Sequence, residues 1–299
     1  MNCWSIGRKC YDSMDLSIII VNHNTPDLCR QTVDYVLESD MKDINYEIIV
    51  VDNSTKSEQI FNMNNSLVKT VTGIENKGFG HACNVGASLA AGKVLLFLNS
   101  DTIVCQDTIF KSWEYFVRNS EFGVLGIRTY LENGALDYGC KRGFPTPFNA
   151  ICYFLKIDRI FPKIKIFGGY HLQFLDPEKT WVVDAVSGAY LMILADVYHQ
   201  ISGFDEEFFM YGEDLDLCFR VKQLGYKIVY FADSYMIHLK GKSGMKSKNP
   251  LVIWHFYHSM ELFYKKHYYF KYGSLIRYTV LGAIRFKRWL SMRNLDSRP

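Results

Sequence analysis

The sequence predicts an α/β fold with a mainly parallel, mixed sheet flanked by helices. Residues 16–21, 47–51 and 94–98 are near-continuous apolar runs, as in strands that are buried on both faces of a parallel sheet. Helical patterns lie between these runs, and strands that alternate with helices are typical of parallel α/β proteins. A chain of 299 residues can bury the core of one large or two modest domains.

The elements of the first half follow in order. A helix is predicted after the first strand, because Thr25 is a suitable N-cap and Pro26 suits the first helical position. After the second strand, a short strand is predicted over 68–71. A helix of small residues over 81–91 is then predicted to end at Gly92. The strand over 94–98 leads into an amphipathic helix that includes Ile109, Trp113, Phe116 and Val117.

The second half is predicted to be less regular. Asn133-Gly134 predicts a hairpin turn that begins an antiparallel part of the sheet. Residues 143–180 are rich in aromatics, glycine and proline, and we interpret them as a flexible or acceptor-facing insertion. The remaining predicted elements are a strand pair or a strand and turn over 181–194, a helix over 213–224 that Gly225 ends, and a strand over 227–231.

The chain divides by composition into three parts. Residues 1–14 are predicted to be an extension, 15–245 the main domain and 246–299 a helical tail. Neither a signal peptide nor a membrane span is expected, because no apolar segment is long enough. The eight cysteines include no CxxC pair, which favours reduced thiols and a cytoplasmic protein.

Positive charge is concentrated in the tail. Residues 240–299 contain 13 lysines and arginines against two acidic residues, whereas the rest of the chain is acidic. Basic, aromatic-rich helices of this composition bind anionic membranes, so peripheral association with the inner face of the cell membrane is expected. A solvated helix or an oligomer contact is also compatible with this pattern, and nucleic acid is not an expected partner.

An acidic cluster begins the helix predicted at 213. The apolar residues 208–211 lead directly into Glu213 and Asp214, although these aromatics equally suit a core. Burial at such a position would raise the pKa of a carboxyl group toward the range of a general base, and Asp214 is the candidate. Asp216 and Arg220 are four residues apart, the spacing of an ordinary surface ion pair.

Polar clusters follow three predicted strands. They are His23-Asn24, Asp52-Asn53 and Asn99-Ser100-Asp101. Each alone suits a turn, but the carboxyl ends of parallel strands share one edge of the sheet, where ligands bind in α/β folds. Oxygen ligands at Asn99 and Asp101 suit a hard divalent cation that bridges phosphates. Gly78 and Gly80 would allow backbone to approach a ligand closely.

These motifs together resemble family 2 inverting glycosyltransferases of the GT-A fold, in the rhamnosyltransferase-like branch. The resemblance extends from about residue 16 to 243 and depends on the order of weak motifs. They are Ser17 to Asn24, Val50 to Ser54, Asn76 to Gly80 with Asn84 and Gly86, Leu98 to Asp101, Gly203 to Glu206, Glu213 to Arg220, and His238 with Ser243.

The resemblance implies a role for each matching residue. Asp214 would deprotonate the acceptor hydroxyl, and Asp52 would bind the base of a nucleotide-sugar donor with His23 nearby. The family's DxD motif would place a divalent cation, Mg²⁺ or Mn²⁺, at Asp101, with Asn99 in place of the first aspartate and His238 completing the site. Asn76, Gly78, Gly80 and Asn84 would line the nucleotide and diphosphate pocket.

The implied activity is inverting transfer of a sugar, with rhamnose favoured, from a UDP- or dTDP-linked donor. The acceptor would be a polyprenyl-linked or growing glycan in the synthesis of a cell-surface polysaccharide. A sugar nucleotidyltransferase and an inactive glycan- or membrane-binding scaffold are the alternatives. The residues 181 and 184–188 suit either the acceptor pocket or strand packing, and the oligomeric state is open.

Overall fold

The computed structural model describes residues 14–239 and 249–296. The predicted extension, Ser243 and the predicted start of the tail at 246 therefore lie outside the described residues. The division into three parts stays a prediction. Within the described residues no helix is both long and apolar enough to cross a membrane, and all six cysteines are free.

A mixed, mainly parallel sheet is the centre of the fold. The strand order in the described residues is β3-β2-β1-β4-β10-β6-β11-β5, with β8 also paired to β11 and with β7 and β9 forming a separate pair. The strands are β1 Leu16–Asn22, β2 Tyr46–Asp52, β3 Val68–Val71, β4 Val94–Asn99, β5 Thr102–Val104, β6 Phe122–Leu131, β7 Lys141–Arg142, β8 Trp181–Val183, β9 Ala185–Val186, β10 Tyr190–Leu194 and β11 Lys227–His238.

Helices cover both faces of this sheet. They are α1 Pro26–Leu37, α2 Phe79–Ser88, α3 Thr108–Val117, α4 Pro147–Phe154, α5 Ile157–Ile160, α6 Ala195–Gln200, α7 Glu213–Gln223, α8 Pro250–His267 and α9 Ser274–Asp296. Alternate residues of each strand enter opposite cores, as the two-residue period of a strand requires. Ile18 packs with α1 and α3, whereas Ile19 packs with α2, α7 and α8.

The predicted α/β class is confirmed. In the first half, the helix predicted over 81–91 is Phe79–Ser88 and ends before Gly92, and β5 was not predicted. The larger differences lie in the second half. The strand predicted over 227–231 continues to His238, past a register irregularity between Phe231 and Tyr235. The segment 181–194 forms three strands, of which β8 pairs with β11, β9 with β7, and β10 with both β4 and β6. The Asn133-Gly134 turn forms, but it is followed by only a single bridge between Tyr130 and Leu136.

The C-terminal helices are as predicted, but α8 is not separate from the main domain. Ser259 donates a hydrogen bond of 2.9 Å to the carbonyl of Met210, and Phe263 is buried in the core beside α7. Lys266 and His267 lie 2.8 and 2.7 Å from the Asp216 carboxylate. Much of the positive charge of α8 is therefore paired within the protein.

Candidate active site

The polar clusters after β1, β2 and β4 meet at one edge of the sheet. These strands are parallel neighbours, with Asn22 opposite Asp52 and Val21 opposite Asn99. The buried Asn22 donates a hydrogen bond of 2.7 Å to Asp52, which links the first two strand ends. The predicted ligand-binding edge is therefore present as a continuous row.

Asp52 organises the loop that follows β2. Its Oδ2 accepts hydrogen bonds from Asn22 and from the backbone N–H of Phe61 at 2.6 Å, and its Oδ1 accepts one from the N–H of Ser54 at 3.0 Å. A carboxylate has about four acceptor positions, so one remains on Oδ1. The His23 ring lies beside this loop, with Nδ1 2.8 Å from the carbonyl of Asn53.

Asn76 connects this loop to the segment before α2. Its side-chain oxygen accepts hydrogen bonds from the Asn53 amide at 3.1 Å and from the Gly78 N–H at 3.2 Å. Asn53 thus connects Asn76 to the loop of Asp52, the two residues for which a nucleotide role was predicted.

The two glycines of this segment contact protein backbone. Gly78 has φ +107, and a Cβ there would lie 2.3 Å from the carbonyl oxygen of Phe209. A Cβ on Gly80 would lie 3.1 Å from the Cβ of Phe204. The sequence analysis expected close approach of a ligand, but the approaching group in the structure is the chain segment 204–209.

The side chain of Asn84, for which a place in the nucleotide pocket was predicted, makes its hydrogen bonds within the protein. Its side-chain oxygen accepts hydrogen bonds from Tyr198 OH and Phe204 N–H, and its amide donates to Phe204 C=O and Glu206. An asparagine side chain has two donors and one oxygen with two lone pairs, so its capacity is fully used. Asn84 holds the segment 204–206 against α2.

Asp101 and His238 are brought together from distant parts of the chain. Asp101 Oδ1 lies 3.0 Å from His238 Nε2, and the side-chain amide of Asn99 lies 3.4 Å from the same nitrogen. The carboxylate of Asp137 lies 3.8 Å from Nδ1 on the other side of the ring. The long β11 makes this meeting possible, because His238 is its last residue.

The pair fits two ligands of a divalent cation. Adjacent ligands of an octahedral ion with bonds of about 2.1 Å are about 3 Å apart, which matches the distance between Asp101 and His238. Within residues 14–239 and 249–296 no group of three or more His, Cys, Asp or Glu side chains is arranged to hold a metal. Further ligands would have to come from the diphosphate of a donor.

Asp214 is held rigidly at the start of α7. Its Oδ2 lies 2.6 Å from Arg142 Nη2 and accepts a second hydrogen bond of 3.0 Å from the N–H of Gly188. Its Oδ1 accepts one from the N–H of Leu215 at 2.7 Å, which leaves one acceptor position on that oxygen. Sequence reasoning missed Arg142, since no motif accompanies it.

Arg142 itself is buried against this carboxylate. Burial by itself would lower the pKa of Arg142, but attraction to Asp214 outweighs burial and holds the pKa above its usual value. The guanidinium also donates a hydrogen bond of 2.7 Å to the carbonyl of Val186. Arg142 therefore positions Asp214 as a charged group.

Of the two neighbouring carboxyl groups at the start of α7, Glu213 and Asp214, the desolvated one is Glu213. It is only 8% exposed, and its Oε2 has no hydrogen-bond partner in the part of the chain that the structure describes. Burial, and secondly repulsion from Asp214, raise the pKa of Glu213 to about 8. The pKa rise expected from burial of this acidic cluster is found at Glu213.

Glu213 makes stability depend on pH. A carboxyl group with a folded-state pKa near 8 and an unfolded value near 4.5 binds more protons in the folded state between these limits. The contribution of Glu213 to the free energy of unfolding therefore falls as pH rises from about 4.5 to 8, by up to about 1.4 kcal/mol per pH unit. We expect Glu213→Gln to raise the melting temperature at pH 8 more than at pH 5 in thermal unfolding. An equal change at both pH values would contradict this assignment.

One short segment links the cation position to Asp214. The N–H of Asn99 donates a hydrogen bond of 3.1 Å to the carbonyl of Ala189, whereas the N–H of the preceding Gly188 donates to Asp214. The residues 184–188, which suited either packing or the acceptor pocket, thus contribute directly to the position of the carboxylate.

A cavity of about 150 Å³ opens beside Asp214. Its walls come from the insertion, the start of α7 and α8, and they are mainly apolar and aromatic. Representative lining residues are Tyr153 and Phe154 of the insertion, Tyr211 before α7, and Phe256 and Met260 of α8. The insertion predicted to face the acceptor does line this cavity, and α8 is a wall that the sequence did not reveal.

Asp216 has a structural role in this region. It is fully buried and accepts from Arg220 at 2.7 Å while it also contacts Lys266 and His267. Burial would raise the pKa of Asp216, but these partners outweigh it and hold the pKa below its usual value. The spacing suggested an ordinary surface ion pair, but Asp216 is instead buried and connects α7 to α8 through these contacts.

Comparisons with known proteins identify the class. Residues 17–176, more than half of the chain, match Glycosyl transferase family 2. The chain belongs to this family and is a glycosyltransferase, as the resemblance predicted.

Two relatives of the chain are rhamnosyltransferases by name. The chain is 28% identical over 291 residues to rhamnosyltransferase WbbL of Escherichia coli (strain K12), covering 93% of this chain and 96% of the relative. It is 29% identical over 126 residues to an N-acetylglucosaminyl-diphospho-decaprenol L-rhamnosyltransferase of Mycobacterium tuberculosis, covering 42% and 40% of the two chains.

Solved structures confirm the GT-A fold. GalNAc-T7 with UDP, GalNAc and Mn²⁺ superposes with a TM-score of 0.60 at 18% identity, over 86% of this chain and 50% of that one. The mannosyltransferase PcManGT of Pyrobaculum calidifontis with GDP-Man and Mn²⁺ gives 0.56 at 13% identity, over 95% and 74%. At these identities the likeness shows the fold.

Proposed function

We propose that this glycosyltransferase moves a sugar from a nucleotide-diphospho-sugar to an acceptor hydroxyl, with inversion at the anomeric carbon and Asp214 as general base. One observation carries the proposal: the segment 188–189 bonds both to Asp214 and to the strand end that bears Asn99 and Asp101. The general base and the position of the diphosphate are thus connected to neighbouring residues of the backbone. This arrangement suits in-line displacement, in which the acceptor and the leaving group lie on opposite sides of the sugar.

The two buried carboxyl groups would have different tasks. With a pKa near 8, Glu213 is mainly protonated at neutral pH and is a poor base there. Asp214 lies against a guanidinium and retains one acceptor position on Oδ1, which can receive the proton of the acceptor hydroxyl. Environments that differ in this way assign acid and base roles to adjacent carboxyl groups.

Asp101 and His238 would hold a divalent cation, Mg²⁺ or Mn²⁺, at the donor side. Such an ion neutralises the negative charge of a departing diphosphate. Asp52 retains an acceptor position for an N–H of the nucleotide base, and the backbone around Asn76 and Gly78 would border the phosphates. Asn99 would contact the nucleotide through its amide.

The sugar and acceptor are proposed from the relatives. Both relatives described above are rhamnosyltransferases by name, which favours a rhamnosyl donor linked to dTDP or UDP. The name of the mycobacterial relative specifies a diphospho-decaprenol acceptor. We therefore propose a polyprenyl-linked or growing glycan as the acceptor, in cell-surface polysaccharide synthesis. Cytoplasmic location and peripheral membrane association stay predictions.

A screen of donors tests this function. Purified protein with Mg²⁺ or Mn²⁺ is incubated with dTDP-rhamnose or with UDP- and GDP-sugars, and released nucleoside diphosphate is measured. We expect dTDP-rhamnose to be consumed about tenfold faster or more than the other donors, since one contact in a sugar pocket discriminates by at least this factor. Pyrophosphate release would instead indicate a nucleotidyltransferase, and no turnover of any donor would favour a scaffold.

A further inference from the structure

Exposed apolar side chains concentrate on one part of the surface. In the segment 147–167, Leu155 and Ile160 are 62% and 66% exposed, and on α9 Phe286 and Trp289 are 57% and 52% exposed. Single exposed apolar residues are normal on proteins, whereas a group of them marks an interaction site. We name this the apolar-basic face: residues 147–167, Leu251 and Trp254 of α8, and residues 286–293 of α9.

Contacts show that these segments form one continuous face. Lys287 of α9 lies 5.9 Å from the ring centre of Phe154 in α4. Arg288 lies 6.0 Å from the ring of Trp254 at the start of α8, and Ser291 is 3.0 Å from Tyr257 OH. The insertion, α8 and α9 are far apart in sequence but adjacent here.

The face is strongly positive. Residues 147–167 contain one acid, Asp158, which is buried and lies 3.3 Å from His171. Their four basic residues are exposed and form no ion pair within the described residues; they are Lys156, Arg159, Lys163 and Lys165. Lys265 and Lys266 of α8 pair with acids of the protein, and Arg285 and Arg288 of α9 lie near Glu261. Within the described residues, the basic side chains of this face that form no ion pair are therefore those of the insertion and Lys287 and Arg293 of α9.

We propose that the apolar-basic face docks onto an anionic lipid bilayer. Apolar and aromatic side chains can enter the boundary between headgroups and acyl chains, while lysines and arginines contact the anionic headgroups. A second copy of this chain is a poorer occupant, because two such faces would bring like charges together. The face therefore matches a lipid surface in both apolar character and charge.

The position of the apolar-basic face suits delivery of a membrane-anchored acceptor to the cavity. This inference rests on the proposed function. Tyr153 and Phe154 of α4 line the cavity beside Asp214, the same helix carries the exposed Ile151, and the exposed Leu155 follows it directly. A bilayer against this face would lie beside the cavity. An acceptor anchored in the membrane could then present its hydroxyl to Asp214 without leaving the lipid.

Vesicle sedimentation with the full chain tests the docking and needs neither donor nor turnover. We expect binding to vesicles of phosphatidylglycerol mixed with phosphatidylcholine, weakened by added salt, and little binding to phosphatidylcholine alone. Leu155→Ser combined with Ile160→Ser should weaken binding about tenfold or more, because both apolar side chains would otherwise be buried in lipid. Lys163→Glu combined with Lys165→Glu should weaken it by a similar factor.

A matched control lies on the opposite edge of the sheet. Leu67→Ser combined with Lys69→Glu removes an exposed leucine and reverses an exposed lysine at β3, and it should leave vesicle binding unchanged. Equal melting temperatures of all variants exclude misfolding. The proposal is overturned by absent binding, by equal binding to neutral vesicles, or by a dimer in light scattering that Leu155→Ser dissociates.

Discussion

Replacing Asp214 with asparagine is expected to lower the rate of sugar transfer by about 10²- to 10⁴-fold, the usual contribution of a general base. The amide cannot accept the proton of the acceptor hydroxyl, although it keeps the size of the side chain and its one oxygen can still accept the hydrogen bonds of Arg142 and Gly188. Binding of the nucleoside diphosphate should persist, because Asp52 and Asp101 lie at other strand ends. Initial rates and calorimetric titration with UDP or dTDP measure the two quantities separately.

The adjacent Glu213→Gln provides the matched control. It makes the same chemical change one residue away, at a carboxyl group that is mainly protonated near neutral pH. We expect its transfer rate at pH 7 to stay within about tenfold of the unchanged protein. If Glu213→Gln abolished transfer while Asp214→Asn retained it, the roles of the two residues would have to be exchanged.

Arg142 explains why the neighbouring carboxyl groups differ. Both are buried, but only Asp214 has a guanidinium at 2.6 Å. The arginine thus holds one of the two neighbouring carboxyl groups in a fixed position by a direct ion pair, whereas Oε2 of the other has no hydrogen-bond partner within the described residues.

The local parts of this arrangement could be predicted from the sequence. β1, β2 and β4 are recognisable because strands buried on both faces are continuously apolar, and each ends in polar residues at the ligand-binding edge. The start of α7 at Glu213 was also predicted, because the acidic cluster suits a helix N-terminus. These features depend on residues that are adjacent in the chain.

The parts that the sequence did not reveal depend on distant contacts. Arg142 reaches Asp214 across 72 positions of sequence, and nothing around Arg142 indicates this partner. Asn84 has the family's residue type, but Tyr198 and Phe204 occupy its hydrogen-bonding groups. The role of α8 as a wall of the cavity follows from the packing of the tail on α7. From composition alone, the tail resembled a detached basic helix.

The second large effect is expected at Asp101. Metal ions contribute several kcal/mol of charge stabilisation, and about 1.4 kcal/mol is tenfold in rate, so Asp101→Asn should lower transfer by about 10²-fold or more. The asparagine side chain can still bond to His238, which keeps the strand ends together. Metal-dependent binding gives a readout independent of turnover: Mn²⁺ should strengthen binding of UDP or dTDP to the unchanged protein, and far less to Asp101→Asn.

Asn99→Asp is the informative counterpart. It lies at the position where the resemblance expects the first aspartate of the DxD motif, and a further carboxylate beside Asp101 increases attraction for a divalent cation. We expect this variant to bind the nucleoside diphosphate more tightly in Mn²⁺ and more weakly in chelator, because without a cation the added carboxylate repels the diphosphate. If Mn²⁺ had the same effect on nucleoside diphosphate binding in both variants as in the unchanged protein, Asp101 and His238 would be a structural hydrogen-bonded pair. The diphosphate would then have to be neutralised by other groups.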